Sequence, residues 1–264
     1  MKISPLAVGF GAEVEDVNLN DIVHDDVQRL QAALLEHGLL VVRRQDLTPQ
    51  EQVAASALFG ELETFYGPAA RAELPEIFRV ASRLAEGHTD VGRYWHSDGS
   101  FRKIPTSISI WYSVAQAEEG GETLFTDQHQ AYATLPEPLK AEIQNLITLH
   151  RNGVEHPLVM PHPKTGAKGI YLNVGLTSEI QGLDATDTFR IIDALNNHLS
   201  RPGAVYAHQW LPGDFVVSDS FRTAHQATPT SSQYRRVLDR TTIKGRAAFW
   251  DTPDTLDKTR QETV

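Results

Sequence analysis

The sequence contains no cysteine among its 264 residues. A chain without thiols cannot form disulfides, use a cysteine nucleophile, or hold zinc or an iron–sulfur cluster through thiolates. Any metal site must therefore use histidine, aspartate or glutamate. The chain has 11 histidines, and they are the first side chains to consider as ligands.

Positive charge is also scarce. The chain carries 24 lysines and arginines against 34 aspartates and glutamates, which gives a formal net charge of -10. Binding to a nucleic-acid backbone requires a basic face, and so does binding to an anionic membrane surface, so neither partner is expected. A small anionic substrate remains compatible, because one buried arginine can outweigh the global charge locally.

Long apolar runs are lacking as well. No stretch approaches the roughly 20 apolar residues that a transmembrane helix needs, and the N-terminal segment, which turns acidic at Glu13, lacks the pattern of a signal peptide. We therefore expect a soluble cytoplasmic protein with a small-molecule partner. A homo-oligomer is compatible with this interpretation.

The order of elements favours a single α+β domain that is mainly β. Apolar spacing predicts a helix over 25–37 and a buried strand over 39–43, and a capping box at Thr48–Glu51 begins a second helix. Further helical segments are predicted over 128–146, divided by Pro136 and Pro138, and over 185–199. Many short strands between turn residues are typical of a sandwich or barrel; they are predicted over 77–81, 107–114, 122–126, 169–174, 204–210, 214–218 and 236–243.

The strongest local signal is the segment Trp95–His96–Ser97–Asp98. Residues two apart in an extended chain point to the same side, so His96 and Asp98 would direct an imidazole and a carboxylate toward one point. Taken alone, this pattern is weak, because it occurs often by chance and is more often a surface histidine beside an aspartate than a metal site. A second, distant histidine in a suitable context distinguishes the two interpretations.

His225 supplies that histidine, at the end of a segment that runs through an apolar strand and a polar bend at Asp219 and Ser220. Two histidines and a carboxylate form a facial triad, which leaves three positions on a metal open and is typical of non-haem Fe(II) oxygenases. A structural zinc site usually has four protein ligands. Asp219 and Ser220 are candidates to orient the His225 ring.

Arg236 and Arg240 follow His225 in the strand predicted over 236–243. Residues four apart on a strand share a face. Two guanidinium groups on an inward face are costly unless they meet anions. A dicarboxylate cosubstrate would provide such an anion.

With these motifs the sequence resembles the Fe(II)/2-oxoglutarate dioxygenases of the taurine and phenoxyacetate-herbicide dioxygenase group, from about Gly9 to Lys244. The resemblance implies a double-stranded β-helix, or jelly-roll, core over about 77–245, a helix–strand–helix buttress over about 1–62 and a polar C-terminal tail from Phe249. Besides the histidines, Asp98 and the arginines, the matching segments are Leu39–Val42, Phe59–Leu62, Ser100–Phe101, Gly120–Leu124, Ala131–Tyr132 and Leu135–Pro136.

The resemblance also implies roles for individual residues. His96, Asp98 and His225 would bind Fe(II). Arg236 and Thr123 would bind the far carboxylate of the cosubstrate 2-oxoglutarate, with O2 as the second cosubstrate. Arg240 would contact the cosubstrate or a substrate anion, and the alternative is a structural ion pair.

The substrate is less defined than the cosubstrate. Taurine-type members carry a substrate-binding histidine where this chain has Glu63–Thr64–Phe65–Tyr66, a stretch that suits a sulfonate poorly. The stretch between Pro161 and Gly169 is also shorter than in larger members. The substrate-binding candidates are Phe65, Tyr66, Arg93, Tyr94 and Arg102, which fit a small organic acid or an amino-acid-derived metabolite.

Several reactions are compatible with these residues. Hydroxylation of an unactivated C–H bond is expected, and desaturation or oxidative cleavage by the same oxidant are alternatives. A non-catalytic metal-binding jelly roll would release no succinate. A zinc hydrolase with the same ligands would leave the paired arginines and Thr123 unexplained.

The remaining histidines are interpreted as structural. His150, His156 and His162 lie among prolines at irregular spacing, which favours a solvated loop over a second metal site. His208 lies on a predicted strand and is expected to be a hydrogen-bonded core histidine or to support the metal site.

Overall fold

The structure is a computed structural model that describes residues 1–66, 70–71 and 74–251, with residues 70–71 described by their backbone alone. Five α-helices are described: α1 His24–His37, α2 Pro49–Ala57, α3 Gln128–Ala133, α4 Glu137–Ile143 and α5 Ala185–Leu199. The strands are β1 Lys2–Pro5, β2 Ala12–Glu15, β3 Leu39–Val42, β4 Gly60–Leu62, β5 Ala70–Arg71, β6 Leu74–Ala81, β7 Ile108–Ala115, β8 Thr123–Asp127, β9 Ile147–His150, β10 Glu155–Pro157, β11 Val159–Pro161, β12 Lys168–Ile170, β13 Thr177–Ile180, β14 Val205–His208, β15 Phe215–Asp219, β16 Thr223–Ala227 and β17 Val237–Ala248.

Local signals in the sequence explain the first helices. Helix α1 ends at Gly38, which adopts a left-handed conformation with φ of 76° and donates its N–H to the Leu34 carbonyl. Helix α2 begins with the predicted capping box, in which Thr48 and Glu51 satisfy each other's backbone N–H groups. Helix α1 therefore ends, and helix α2 begins, where the sequence indicates.

The large sheet is covered on both faces. Its strands run in the order β1-β2-β3-β15-β7-β17-β6-β5, with β4 paired to β17. On β3, Leu40 and Val42 pack against α1 and α2, whereas Leu39 and Val41 point into a second core with Trp111. Alternate residues of a strand face opposite sides, so a fully apolar strand such as β3 is expected at the centre of a layered structure.

A smaller sheet, in the order β14-β8-β16, faces the large one. Phe125 of β8 lies in the core shared by the two sheets, and helices α3, α4 and α5 bury a third cluster behind the small sheet. The two sheets with helices on both outer sides form a jelly-roll core, which confirms the predicted mainly β, α+β fold. The interior between the sheets is where the candidate site lies.

The prediction of a solvated loop around His150, His156 and His162 was wrong. The three histidines are each only 2% exposed. They lie on or beside β9, β10 and β11, and β9 is paired with β10 and β13. Hydrogen bonds make the burial of two of these histidines favourable. His156 Nε2 lies 2.7 Å from the Ser100 carbonyl, and His162 Nε2 lies 2.8 Å from Asp219.

Burial of His150 makes the stability of the protein depend on pH. Desolvation, with a contribution from the nearby His156, lowers the pKa of His150 to about 4 from an ordinary 6.5. The unfolded chain then binds more protons between these values, so stability falls as the pH drops from about 6.5 toward about 4. Between pH 7 and pH 5 this histidine should account for a loss of about 2 kcal/mol in the free energy of unfolding.

Urea unfolding at the two pH values tests this expectation. The variant His150→Phe keeps a buried ring and removes the titration, so its loss of stability should be smaller than that of the wild type by about 2 kcal/mol. His24→Phe, at an exposed histidine on α1, is the control and should keep the wild-type dependence. An unchanged dependence in His150→Phe would contradict the assignment.

Phe249 and Trp250 pack against the outer core, with Trp250 3% exposed, so the polar tail does not begin at Phe249 as predicted. Its remainder from residue 252 lies outside the described residues. Among the residues described, no helix combines the length and apolar character needed to cross a membrane.

Candidate metal centre

His96 and His225 are brought together by the backbone. They form an isolated antiparallel bridge, in which the His96 N–H donates to the His225 carbonyl (3.1 Å) and the His225 N–H donates to the His96 carbonyl (2.9 Å). His225 is fixed in turn by the pairing of β16 with β8. The two imidazole rings lie 4.2 Å apart between their centroids.

Asp98 reaches the same point from a turn. Gly99 has a φ of +70°, and a Cβ there would lie 2.2 Å from Thr106 Oγ1. Only glycine fits both requirements, and the turn directs the Asp98 carboxylate back toward the histidines. Asp98 Oδ1 lies 3.9 Å from His96 Nε2, and Asp98 Oδ2 lies 3.9 Å from His225 Nε2.

The three side chains form the only metal-ligand cluster of histidine and acidic groups found among the described residues. One ligand atom from each of His96, Asp98 and His225 lies within 4.8 Å of the others, and all three residues are buried. His96 Nδ1 lies 2.8 Å from the Tyr94 carbonyl, an arrangement that assigns the ring proton to Nδ1 and leaves Nε2 free. The convergence predicted from the sequence is present.

The protonation states of the cluster suit a cation. Burial lowers the pKa of His96, and burial together with His96 lowers the pKa of His225 to about 3. Burial opposes ionisation of Asp98, but Arg240, the two imidazoles and a hydrogen bond from Ser109 outweigh it and lower its pKa to about 2. Two neutral imidazoles and one carboxylate therefore face one point at neutral pH, which is the donor set of a two-histidine, one-carboxylate site.

Arg240 contacts this cluster directly. Its Nη1 donates to Asp98 Oδ1 at 2.6 Å. The guanidinium also lies over the Phe78 ring at 4.6 Å and over the Phe65 ring at 6.0 Å. Of the roles considered for Arg240, the ion-pair alternative is the one its contacts match in this structure.

Arg236 lies at the other end of the same cavity. Arg236 immediately precedes β17, and Leu238 and Arg240 lie on it. All three line the cavity between the sheets, and Leu238 belongs to the inner core. Arg236 Nη2 lies 3.4 Å from Thr123 Oγ1, which also accepts a hydrogen bond from Trp210 Nε1 at 3.0 Å. A cavity of about 30 Å3 connects Arg236 and Thr123 with His96, His225 and Arg240.

Arg236 is a buried cation with no carboxylate within ion-pair distance among the described residues. It is 6% exposed. Burial, followed by the positive charge of Arg93, lowers the pKa of Arg236 to about 10. A guanidinium in this state is costly unless an anion meets it, so this part of the site is suited to an anion that contacts Arg236.

The substrate-binding candidates separate into two groups. Phe65 contacts Phe78 beside Arg240 with a centroid distance of 5.4 Å, and the Tyr94 ring lies 5.3 Å from the His96 ring. Tyr66 is 85% exposed and does not line the cavity. Arg93 is paired with Asp90 at 2.8 Å, and Arg102 forms an ion pair with the buried Glu63.

Some residues of the site were not predicted from the sequence. Ser109 donates to Asp98 Oδ2 at 2.8 Å, and Trp111 packs edge-on against the His225 ring. Both lie on the inward face of β7, and their alternation along a strand was the available signal. Phe78 stacks on His88, and the Arg240 guanidinium lies over its ring. The sequence gives no signal for this contact, because Phe78 and Arg240 lie on different strands.

The residues expected to support His225 are placed differently. Ser220 lies 3.3 Å from Ser109 and so belongs to the hydrogen bonds around Asp98. The Asp219 carboxylate contacts His162 rather than His225. His208 is fully buried, with Nδ1 3.1 Å from the Tyr206 hydroxyl and Nε2 3.1 Å from Asp214, as expected for a hydrogen-bonded core histidine.

Comparisons with known proteins give a consistent result. The family described as "Taurine catabolism dioxygenase TauD, TfdA family" matches residues 2–242. An (S)-phenoxypropionate/alpha-ketoglutarate-dioxygenase of Sphingobium herbicidovorans is 29% identical over 92% of this chain and 94% of the relative.

Two solved structures are similar over nearly the whole chain. A structure titled as a putative alpha-ketoglutarate-dependent taurine dioxygenase from Burkholderia xenovorans has a TM-score of 0.83 and 30% identity, covering 96% of this chain and 92% of that one. The structure of AAD-2 in complex with Mn(II) and N-oxalylglycine has a TM-score of 0.80 and 26% identity, covering 92% of this chain and 97% of that one.

Proposed function

Because this chain belongs to the taurine catabolism dioxygenase TauD, TfdA family, we propose that His96, Asp98 and His225 bind its Fe(II) and that Arg236 and Thr123 bind its 2-oxoglutarate. The protein is an Fe(II)- and 2-oxoglutarate-dependent dioxygenase. The bound metal and cosubstrate supply the oxidising chemistry, in which 2-oxoglutarate and O2 yield succinate and CO2 as the substrate is oxidised.

One observation carries the residue assignment: the buried Arg236 lacks a carboxylate partner among the described residues, in the cavity that also contains the free Nε2 of His96. A dicarboxylate with a chelating 2-oxo acid at one end meets both needs. Arg236 orients the far carboxylate by a charge-assisted contact, and Thr123 adds a hydroxyl beside it. The alternative of a zinc hydrolase leaves this buried cation unexplained.

The protein contributes positioning and a dry environment. Val80, Val91, Trp111 and Leu238 line the cavity next to the ligands, so apolar side chains surround the reacting groups. Arg240 and Ser109 hold the Asp98 carboxylate in its metal-facing orientation. Supporting contacts of this kind fix the geometry of a metal ligand and tune its affinity.

We propose that the substrate is a small organic acid with an apolar or aromatic body, and that the outcome is hydroxylation of a C–H bond. Phe65 and Phe78 form an aromatic wall beside Arg240, which suits such a body. Arg102, on the loop after Asp98, is 38% exposed at its side chain and offers further donors to a carboxylate. The Sphingobium relative is named for phenoxypropionate, an acid of this type. Desaturation or oxidative cleavage would use the same site.

A screen for substrate-stimulated succinate release tests the substrate class. Aryloxy- and arylalkanoic acids should accelerate succinate formation, and the matching amides should not, because an amide removes the negative charge. Product analysis by mass spectrometry should show a gain of one oxygen for hydroxylation or a loss of two hydrogens for desaturation. Equal stimulation by acids and amides would contradict the proposed acid, and no stimulation by either would contradict the substrate class.

The cellular location is part of the same proposal. A cytoplasmic enzyme is consistent with a chain that lacks cysteine, because secreted domains often rely on disulfides. Fractionation of the native host followed by detection of the protein measures this directly, and recovery in the secreted fraction would contradict it.

A further inference from the structure

A second cavity adjoins the metal-side cavity. It has a volume of about 290 Å3 and shares Val80, Val91, Ala227 and Arg236 with the smaller one, so the two meet at these residues. Its other walls are mainly polar and come from β6, the loop before His96 and the loop after β16; they include Ser82, Thr89, Arg93, Thr228, Thr230 and Ser232.

Arg93 and Arg236 both line this cavity. Arg93 uses Nη2 to bind Asp90 at 2.8 Å, whereas its Nη1 is buried and has no hydrogen-bond partner among the described residues. The Nε of Arg236 is likewise buried without a partner in the part of the chain that the structure describes. Each guanidinium therefore retains a donor that nothing in the described structure satisfies.

The acids near the two arginines neutralise them poorly. The Asp90 side chain is 79% exposed, and an ion pair to such a carboxylate is weak because water screens it. Glu122 accepts a hydrogen bond from Thr228 Oγ1 at 2.9 Å and raises the pKa of Arg236 less than Arg93 lowers it; the described residues include no ion pair between Glu122 and Arg236. Two cations thus face one cavity, and their mutual repulsion is relieved when an anion lies between them.

We propose that Arg93 is a second binding residue for the far carboxylate of the cosubstrate, which it and Arg236 contact from two sides. This inference rests on the proposed function. It moves Arg93 from the substrate-binding group, where the sequence placed it, to the cosubstrate. It also explains why the wall on this side of Arg236 is rich in hydroxyl groups, which suit a carboxylate, rather than apolar.

The role implies selectivity for the length and charge of the 2-oxo acid. A ligand that chelates the metal but lacks a far carboxylate gains nothing from Arg93. N-Oxalylglycine and N-methyloxamate form a suitable pair of probes, because both present an oxalyl amide and only the first carries the far carboxylate. The difference between their affinities isolates the contribution of the carboxylate site.

Equilibrium binding to the Mn(II)-loaded full-length protein tests the proposal without turnover. In Arg93→Gln the affinity for N-oxalylglycine should fall by about tenfold, as expected for a charge-assisted hydrogen bond, and the affinity for N-methyloxamate should stay unchanged. The affinity of Arg93→Lys for N-oxalylglycine should lie between those of the wild type and Arg93→Gln, because lysine keeps the charge but lacks the planar guanidinium. Arg235→Gln is the matched control, since Arg235 neighbours Arg236 but pairs with Glu86 at the surface.

The outcomes separate the possible failures. Wild-type affinity for N-oxalylglycine in Arg93→Gln, together with a large loss in Arg236→Gln, would overturn the role of Arg93 alone. An equal loss for both probes would also overturn it, because it would indicate damage to the metal site. Failure of the wild-type protein to bind N-oxalylglycine in the presence of Mn(II) would overturn the proposed function, and this inference with it.

Discussion

Replacing Asp98 by asparagine should weaken the binding of Fe(II) or Mn(II) by at least about 100-fold. The substitution keeps the size of the side chain and its hydrogen bond from Ser109, but it removes the one negative charge among the three ligands. Loss of supporting contacts alone typically weakens metal binding about 10- to 100-fold, so loss of a ligand charge should exceed that range.

The position of Arg240 makes this effect larger. Its guanidinium lies 2.6 Å from Asp98 Oδ1, and its side chain is only 12% exposed. Once the carboxylate charge is gone, Arg240 is a buried, unpaired cation that repels the metal. We therefore expect Asp98→Asn to lose more metal affinity than His96→Ala, although each removes one ligand.

Titration of the apo protein with Mn(II) under argon measures the loss, and the weak visible band formed by Fe(II) with 2-oxoglutarate provides a second readout. Asp90→Asn is the matched control, because Asp90 lies in the segment before His96 but its side chain is 79% exposed; it should retain wild-type metal affinity. Retention of that affinity by Asp98→Asn would exclude Asp98 as a ligand.

The metal cluster and the two arginines could be predicted because each is encoded locally. His96 and Asp98 lie two residues apart and Arg236 and Arg240 lie four apart, so the sequence keeps the members of each pair close. In the structure the turn at Gly99 directs Asp98 toward the histidines, and Arg236 immediately precedes β17, which carries Arg240. The distant His225 was found because an apolar strand and a polar bend precede it, a context that distinguishes it from the other histidines. These features need no knowledge of how the sheets pack.

The contacts that join distant segments could not be predicted. Arg102 binds Glu63, Asp219 binds His162, and Arg240 lies over Phe78; each pair depends on which strands become neighbours. The buried histidines around β9 were missed for a related reason. Histidine is usually partly exposed, and only the hydrogen bond from His156 to Ser100 makes its burial favourable.

Arg236→Gln should show the largest effect on cosubstrate binding while metal affinity stays unchanged. Arg236 is only 6% exposed and has no acidic partner among the described residues. A bound carboxylate would therefore form its main charged contact. Removing one partner of a buried, hydrogen-bonded charge pair costs about 2–5 kcal/mol, which corresponds to about 30- to several-thousand-fold in the dissociation constant for N-oxalylglycine. Arg235→Gln should have no effect on the same measurement.

The same residue should have the opposite effect on the stability of the empty protein. A buried guanidinium without an acidic partner is unfavourable, and burial already lowers the pKa of Arg236 to about 10. Arg236→Leu should therefore raise the free energy of unfolding of the apo protein by about 1–3 kcal/mol, while addition of N-oxalylglycine to the Mn(II)-loaded protein should stabilise the wild type more than the variant. Higher stability of the apo protein together with weaker ligand binding is expected of a residue that serves binding and destabilises the empty site. Arg236→Leu that loses both stability and ligand binding would instead indicate a structural role, because a cation needed for packing would be missed in the apo state as well.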